Sequence, residues 1–199
     1  MNKDVRRRLS PALIVIGGFA GTGKTAVSRR LSGELGIPRL GSDTLGRTIR
    51  DSVGVENGEV DAYWIAYEVL FRLCEEFIQL GVSTILDLTM GCEFQWQHVD
   101  SIIRRYPQTS FLPVILRCPH EECIERIRQR HEANPEHYDP PELYLTEPRI
   151  LRIREFLVRL NRPGIRFVDA GRPHDEVYGE VRDYVSTQLN IGPQPLHDM

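Results

Sequence analysis

The stretch that decides the fold is Leu13-Ile14-Val15-Ile16-Gly17-Gly18-Phe19-Ala20-Gly21-Thr22-Gly23-Lys24-Thr25. The apolar, β-branched run at its start is typical of a buried parallel strand. The pattern G-x-x-x-x-G-K-T follows, and apolar residues then recur at helical spacing as far as Leu35, before Gly36. A strand, a glycine-rich loop and a helix in this order predict a loop that binds phosphate.

Each residue type in this loop has a chemical reason. The glycines let the backbone curl, so that several N–H groups and the start of the next helix favour one anion. Lys24 can reach the β- and γ-phosphates of a nucleotide, and the Thr25 hydroxyl can ligate Mg²⁺. Lysine is otherwise scarce in this chain, because the only other one is Lys3, near the N-terminus. We predict that the donor nucleotide is bound by Gly18, Phe19, Ala20, Gly21, Thr22, Gly23, Lys24, Thr25 and Ala26.

Composition indicates an ordinary soluble protein. A chain of 199 residues with a net charge of -3 is expected to form a single domain, residues 1–191, and gives no sign of a nucleic-acid or membrane surface. No apolar run approaches the length of a membrane helix. We expect residues 192–199, which contain two prolines, to be a disordered tail.

Cysteine usage favours a reducing, cytoplasmic environment. The four cysteines form no C-x-x-C pair. Cys118, His120 and Cys123 are close in sequence, but they lack the second ligand pair of a zinc site. Free thiols are therefore the better interpretation.

Short apolar runs alternate with amphipathic stretches along the chain. This alternation predicts an α/β protein whose parallel sheet is covered by helices on both faces. Since ligands in such sheets bind beyond the carboxyl ends of the strands, residues that follow a strand are the candidate site. The predicted strands are residues 13–16, 37–40, 84–88, 111–116 and 165–168.

Two carboxylates follow predicted strands. Asp43 follows the second strand, where it can accept a proton from an acceptor hydroxyl, orient that hydroxyl, or merely cap a short helix. Asp87 ends the third strand, where it can hold Mg²⁺ directly or through water, or bind the acceptor. The sequence leaves these alternatives open.

A lid is predicted near residues 120–147. Arg126 and Arg130 are four residues apart and share one helix face, beside a proline-rich segment, residues 134–146, that we expect to be mobile. Such arginines suit a lid that closes over phosphate. The alternative is a solvated face with pairs such as Glu122–Arg126.

The chain resembles the P-loop kinases of the AAA_33-type predicted-kinase group, which is related to polynucleotide 5′-hydroxyl kinases, zeta toxins and chloramphenicol phosphotransferases. The resemblance implies a P-loop NTPase fold with a five-stranded parallel sheet, ATP as donor with Mg²⁺, and a small lid. It also implies Asp43 as catalytic base, Arg126 and Arg130 as lid arginines, and adenine near Gly171 and Arg172. The residues that carry it are the phosphate loop, Ser42-Asp43, residues 81–87, residues 125–130 and Val168-Asp169-Ala170-Gly171.

The acceptor is less defined than the donor. Relatives often carry an arginine three residues after the second-strand aspartate, where this chain has Gly46. The leading hypothesis is a kinase for a hydroxyl of a small molecule. The alternatives are an ATPase or nucleotide switch that acts on a protein partner, and a nucleic-acid 5′-end kinase whose arginines at 149, 152, 154, 159 and 162 would form a binding patch. The oligomeric state stays open.

Overall fold

The computed structural model describes residues 10–53 and 62–191. Its strands are β1 (Ala12–Gly18), β2 (Arg39–Gly41), β3 (Thr84–Asp87), β4 (Ser110–Arg117) and β5 (Arg166–Asp169). Its helices are α1 (Lys24–Leu35), α2 (Ser42–Val53), α3 (Ala62–Gln79), α4 (Glu93–Arg105), α5 (His120–Ala133), α6 (Pro141–Thr146), α7 (Pro148–Arg159) and α8 (His174–Gln188).

The five strands form one parallel sheet with the order β2-β3-β1-β4-β5. The strand that leads into the phosphate loop is therefore at the centre, which is the position that the family resemblance implies for it. In the register of the sheet, Asp87 lies beside Ile16 of β1 on one side and beside Gly41 of β2 on the other. The topology thus brings the ends of the first three strands together.

The core lies on both faces of the sheet, and the alternation of side chains along β1 shows how. Leu13 and Val15 belong to a cluster that contains buried residues of α3, α4 and α7. Ala12, Ile14 and Ile16 belong to a second cluster, with buried residues of α1 and α8. These five side chains are fully buried, because both faces of a central parallel strand are covered. The prediction of helices on both faces is confirmed.

The main departures from the sequence predictions are the start of β2 and a short helix, while the ends of the other strands differ by one or two residues. β2 begins at Arg39, two residues later than predicted, although the carbonyl of Pro38 still accepts the N–H of Ile85 at 2.9 Å. Residues 134–146, expected to lack regular structure, include the short helix α6. Its first residue is Pro141, at a position where the missing N–H of proline removes no helical hydrogen bond.

The predicted disordered tail, residues 192–199, lies outside the described ranges. Within those ranges, none of the helices has the length and apolar character needed to cross a membrane.

Candidate functional site

The phosphate loop joins β1 to α1 and has the backbone shape that its glycines permit. Gly23, directly before α1, is left-handed with a φ of 86° and a ψ of 8°. Lys24 is the first residue of α1 and is buried, whereas Ala26 in the same turn is exposed. Thr22 closes the loop by donating from its N–H and its hydroxyl to the carbonyl of Phe19, at 3.3 and 2.8 Å. The helix therefore starts at the lysine that the motif requires.

Neighbouring elements converge on this loop. The N–H of Gly18 donates to the carbonyl of Thr89, just after β3, at 3.0 Å. A Cβ on Gly21 would lie 2.5 Å from the carbonyl oxygen of Cys123, so α5 abuts the loop. A Cβ on Gly23 would lie 3.9 Å from the ring of His174, the first residue of α8. The loop is thus enclosed by the segments that follow β3, β4 and β5.

Asp87, the predicted metal ligand, ends β3 and is 3% exposed. Its Oδ2 accepts hydrogen bonds from the hydroxyl of Ser28 at 2.9 Å and from Nε of Arg39 at 3.2 Å, and Nη2 of Arg39 also donates to it. Its Oδ1 is buried and has no hydrogen-bond partner. Ser28 in turn donates to the carbonyl of Thr25 at 3.1 Å, so Asp87 lies close to the first turn of α1. An orphaned carboxylate oxygen close to the helix turn that carries Thr25 fits Mg²⁺, which prefers oxygen ligands.

Asp43, the predicted base, follows β2, two residues after Gly41, which pairs with Asp87 in the sheet. It is exposed and is the second residue of α2, within the first turn, where a carboxylate also stabilises the helix dipole. Three tyrosines from α3 and α6 are within its electrostatic reach. Burial raises the pKa of Tyr67 and of Tyr144 to about 12, and the charge of Asp43 contributes to both shifts. Burial, together with Asp43, also raises the pKa of Tyr63. All three hydroxyls therefore stay protonated near the carboxylate at neutral pH.

Gly46 explains one departure from the relatives' pattern. It lies one turn after Asp43, and a Cβ there would be 2.9 Å from the ring of Tyr63. The hydroxyl of Tyr63 accepts a hydrogen bond from Arg50 at 3.1 Å. An aromatic ring thus packs on α2 at the place where relatives often carry an arginine.

The two predicted lid arginines have different partners. Nη1 of Arg126 donates to the carbonyl of Ala170 at 2.9 Å, and its Nε donates to Glu122 at 3.0 Å. The Glu122–Arg126 pair that the sequence offered as an alternative is therefore present. The guanidinium of Arg130 lies 5.4 Å from the centre of the Tyr138 ring. Arg126 thus links α5 to the loop after β5.

The loop after β5 was predicted to lie near adenine. The N–H of Gly171 donates to the side chain of Asp169 at 2.9 Å. Arg172 donates to the carbonyl of Asp169 at 3.2 Å and forms an ion pair with Glu180 of α8. Hydrogen bonding from Arg172 lowers the pKa of Glu180. The guanidinium of Arg172 is thus engaged by α8, while the backbone of the loop lies against α5 through Arg126.

A cavity of about 310 Å³ adjoins the phosphate loop. Its walls come from the loop, the end of β4, the start of α5 and α7, and neither Asp43 nor Asp87 lines it. Nδ1 of His120 is buried in this region without a hydrogen-bond partner. Burial, followed by the charge of Arg154, lowers the pKa of His120, which favours the neutral ring. The residues that line the cavity are Phe19, Thr22, Ile115, Leu116, Arg117, Cys118, His120, Cys123, Arg154, Leu157 and Val158.

The described residues contain no cluster of three or more His, Cys, Asp or Glu side chains that could hold a metal ion. All four cysteines are free of disulfide bonds.

Sequence reasoning missed several residues of this region. Arg39 fell within the predicted strand of residues 37–40, and no role was predicted for Tyr67. A charged residue in a strand predicted to be buried, next to a strand that ends in Asp87, was the available signal for Arg39. Nothing in the local sequence around Ser28 indicates its contact with Asp87.

The family follows from the comparison with known domains. The model of the AAA_33 family, described as an AAA domain, matches residues 13–147, more than half of the chain. The chain belongs to the AAA_33 family. The match begins in β1 and runs past α6, so it spans the phosphate loop, Asp43, Asp87 and both predicted lid arginines. No curated protein matches the sequence of this AAA_33 member.

Solved structures share the fold. A candidate kinase from Chloroflexus aurantiacus J-10-fl gives a TM-score of 0.68 at 22% identity, covering 90% of this chain and 98% of that chain. A gluconokinase from Sinorhizobium meliloti 1021 gives 0.58 at 17% identity, with coverages of 92% and 96%. The APS kinase of Mycobacterium tuberculosis, in complex with AMPPNP and APS, gives 0.58 at 16% identity, with coverages of 89% and 98%. The AAA_33 chain therefore has the P-loop NTPase fold of these kinases.

Proposed function

We propose that this protein is an ATP-dependent phosphotransferase that moves the γ-phosphate of ATP to a hydroxyl group of a small molecule. The observation that carries the proposal is the phosphate loop, in which left-handed Gly23 precedes α1 and a buried Lys24 begins it. The N–H groups of this turn and the positive end of the helix dipole favour phosphate. The gluconokinase and the APS kinase that share the fold act on small molecules by their names.

On the donor side, the residues of this chain bind and orient the nucleotide. Lys24 lies where its charge can stabilise the transferred phosphoryl group. Thr25 and the free oxygen of Asp87 are the groups that would hold Mg²⁺, which neutralises phosphate charge when it is bound. Arg126 donates to the carbonyl of Ala170 in the loop after β5, and this contact supports a binding site for the adenine base between α5 and that loop.

On the acceptor side, Asp43 would accept the proton of the acceptor hydroxyl or orient that hydroxyl. Its surroundings support a small acceptor with several hydroxyl groups. The charge of Asp43 contributes to the raised pKa of Tyr63, Tyr67 and Tyr144, and each of these hydroxyls can both donate and accept a hydrogen bond. Residues 120–147, with Arg126 and Arg130, would then act as the lid that excludes water.

The arginines near α7 give little support for a nucleic-acid acceptor. The guanidinium of Arg162 is held by Asp100 and lies 4.6 Å from the Trp96 ring centre, while Arg154 lines the separate cavity. Since Arg154 and Arg162 have different neighbours, these two side chains do not support one continuous basic groove of the kind that binds single strands.

The first experiment tests the donor side. Replacing Lys24 by alanine removes a charge-stabilising group, and losses of about 10²–10³ in rate are usual for such groups. Phosphate transfer from γ-labelled ATP to a panel of polyols, sugars and oligonucleotides measures the effect. Lys3→Ala is the matched control, because it removes the only other lysine of the chain. Full activity in the Lys24→Ala protein would reject the proposal.

The second experiment tests the acceptor side with the substrate that the panel identifies. Asp43→Asn should lower kcat by about 10²–10⁴ if the carboxylate is the general base. Asp51→Asn is the control, because Asp51 is an exposed aspartate of the same helix. If Asp43→Asn and Asp51→Asn transfer phosphate equally well, Asp43 is only a first-turn helix residue.

A further inference from the structure

Arg39 reaches from β2 to the carboxylate at the end of β3. Both of its donating nitrogens bond the same oxygen, Oδ2 of Asp87, and its Nε also donates to the hydroxyl of Ser28 at 2.8 Å. The side chain of Arg39 is 13% exposed and that of Asp87 is 2% exposed. This ion pair is therefore largely removed from water, unlike the exposed pairs on the helices.

The backbone makes room for this contact. A Cβ on Gly41 would lie 2.6 Å from Nη2 of Arg39, so any side chain larger than glycine there would displace the guanidinium. Gly41 is also the residue paired with Asp87 in the sheet register. The position of the guanidinium is thus fixed by the sheet itself and by the hydroxyl of Ser28.

The contact with Arg39 gives the two carboxylate oxygens of Asp87 different surroundings. Oδ2 receives all the hydrogen bonds, from Ser28 and Arg39, while Oδ1 is buried without a partner. A buried carboxylate without a counter-ion is costly, and Arg39 supplies the compensating charge. The same guanidinium reduces the attraction of the site for a free divalent cation, because its charge lies against the carboxylate.

We propose that Arg39 is a positioning residue which balances the charge of Asp87 in the nucleotide-free protein and leaves Oδ1 as its available oxygen. A divalent cation then binds only together with the phosphates of the nucleotide, whose negative charge adds to that of Asp87. This inference rests on the proposed function, since it takes the nucleotide site as the place where the cation is bound.

The test measures Mn²⁺ binding by the loss of the free Mn²⁺ signal in electron paramagnetic resonance, without nucleotide. The wild-type protein should bind weakly. Arg39→Met should bind at least about tenfold more tightly, because Asp87 is left without its counter-ion; a tenfold change corresponds to about 1.4 kcal/mol. The double variant Arg39→Met, Asp87→Asn should return to the wild-type value. Arg162→Met is the matched control, because it breaks a pair with Asp100 that does not involve Asp87.

The outcomes separate the two proposals. The role of Arg39 would be overturned by any of three results. These are an equal Mn²⁺ affinity of wild type and Arg39→Met, tight Mn²⁺ binding by the wild type without nucleotide, and tight binding that persists in the double variant. Arg39→Gln removes the charge but keeps N–H donors, so it replaces Arg39→Met if that variant does not fold, with the same expected direction. A parallel titration of the wild type with Mn²⁺ and ATP tests the proposed function, which fails if no ternary complex forms.

Discussion

Replacing Gly21 by alanine tests how closely the phosphate loop and α5 approach each other. The backbone of Gly21 has a φ of 84°, and a Cβ there would lie 2.5 Å from the carbonyl oxygen of Cys123. The left-handed backbone costs an L residue about 1–2 kcal/mol. The overlap forces the backbone to move, and overpacking of this kind costs about 1–3 kcal/mol. The free energy of unfolding should therefore fall by roughly 2–5 kcal/mol.

Two other glycines separate these contributions. Gly36, which ends α1, has a φ of 63°, and a Cβ there would meet no atom within 4 Å, so Gly36→Ala should cost only the backbone part, about 1–2 kcal/mol. Gly33 lies inside α1, with nothing within 4 Å and no positive φ. Gly33→Ala should therefore stabilise the protein by about 0.5–1 kcal/mol, because alanine is the better helix former.

Urea unfolding with linear extrapolation measures all three variants, provided that the m-value is unchanged. The affinity for ATP, measured by calorimetry, should fall for Gly21→Ala and remain unchanged for Gly33→Ala, since only the first variant displaces N–H groups of the loop. If Gly21→Ala is no more destabilised than Gly36→Ala, the close packing of α5 on the loop is not a feature of the folded protein in solution.

Three further predictions concern single side chains. Burial lowers the pKa of His120 from 6.5, so the imidazole binds a proton more readily in the unfolded chain than in the folded protein. Stability should therefore be lost as the pH falls below about 6.5. His120→Gln should flatten this pH dependence of the melting temperature. Burial raises the pKa of the Cys123 thiol from 9.0 to about 12, so its alkylation at pH 8 should be about a thousandfold slower in the folded protein than in urea, as followed by mass spectrometry. Arg126→Met should weaken ATP binding about tenfold, because the variant loses the contact of Arg126 with the loop after β5. Arg128→Met, on another face of α5, should not change the affinity for ATP. Equal ATP affinities of the two variants would show that Arg126 is not part of the nucleotide site.

The sequence predicts those parts of the fold whose signal is local. The β-branched run of β1, the loop motif and the helical spacing before Gly36 each describe one short segment, so their structure follows from neighbouring residues. α6 was missed because it has only six residues and follows two prolines, which weaken any periodic pattern. The central position of β1 came from the family resemblance, since strand order depends on packing between distant segments.

In the candidate site, too, the residues with a local signal were predicted and those that depend on distant contacts were not. Lys24 and Thr25 were predicted as site residues because a single motif contains them, whereas the partners of Asp87 come from β2 and α1, 48 and 59 residues away in the sequence. The tyrosines on which the charge of Asp43 acts give no separate signal in the sequence, because a buried ring such as that of Tyr67 resembles any other core residue. Only the fold brings these rings within the electrostatic reach of the carboxylate.

The arrangement of Arg39 and Asp87 also changes what a carboxylate at the end of a strand implies. From sequence alone, Asp87 either holds a metal ion or binds the phosphate acceptor. Both interpretations assume that no positive side chain already compensates its charge. In the structure that charge is already balanced on one oxygen, and Gly41 is the residue that permits it. At the cation site that we propose, a carboxylate whose charge is already compensated has little attraction of its own for a divalent ion. Under that proposal the occupancy of the site depends on the phosphates, so the metal and the nucleotide bind as one unit.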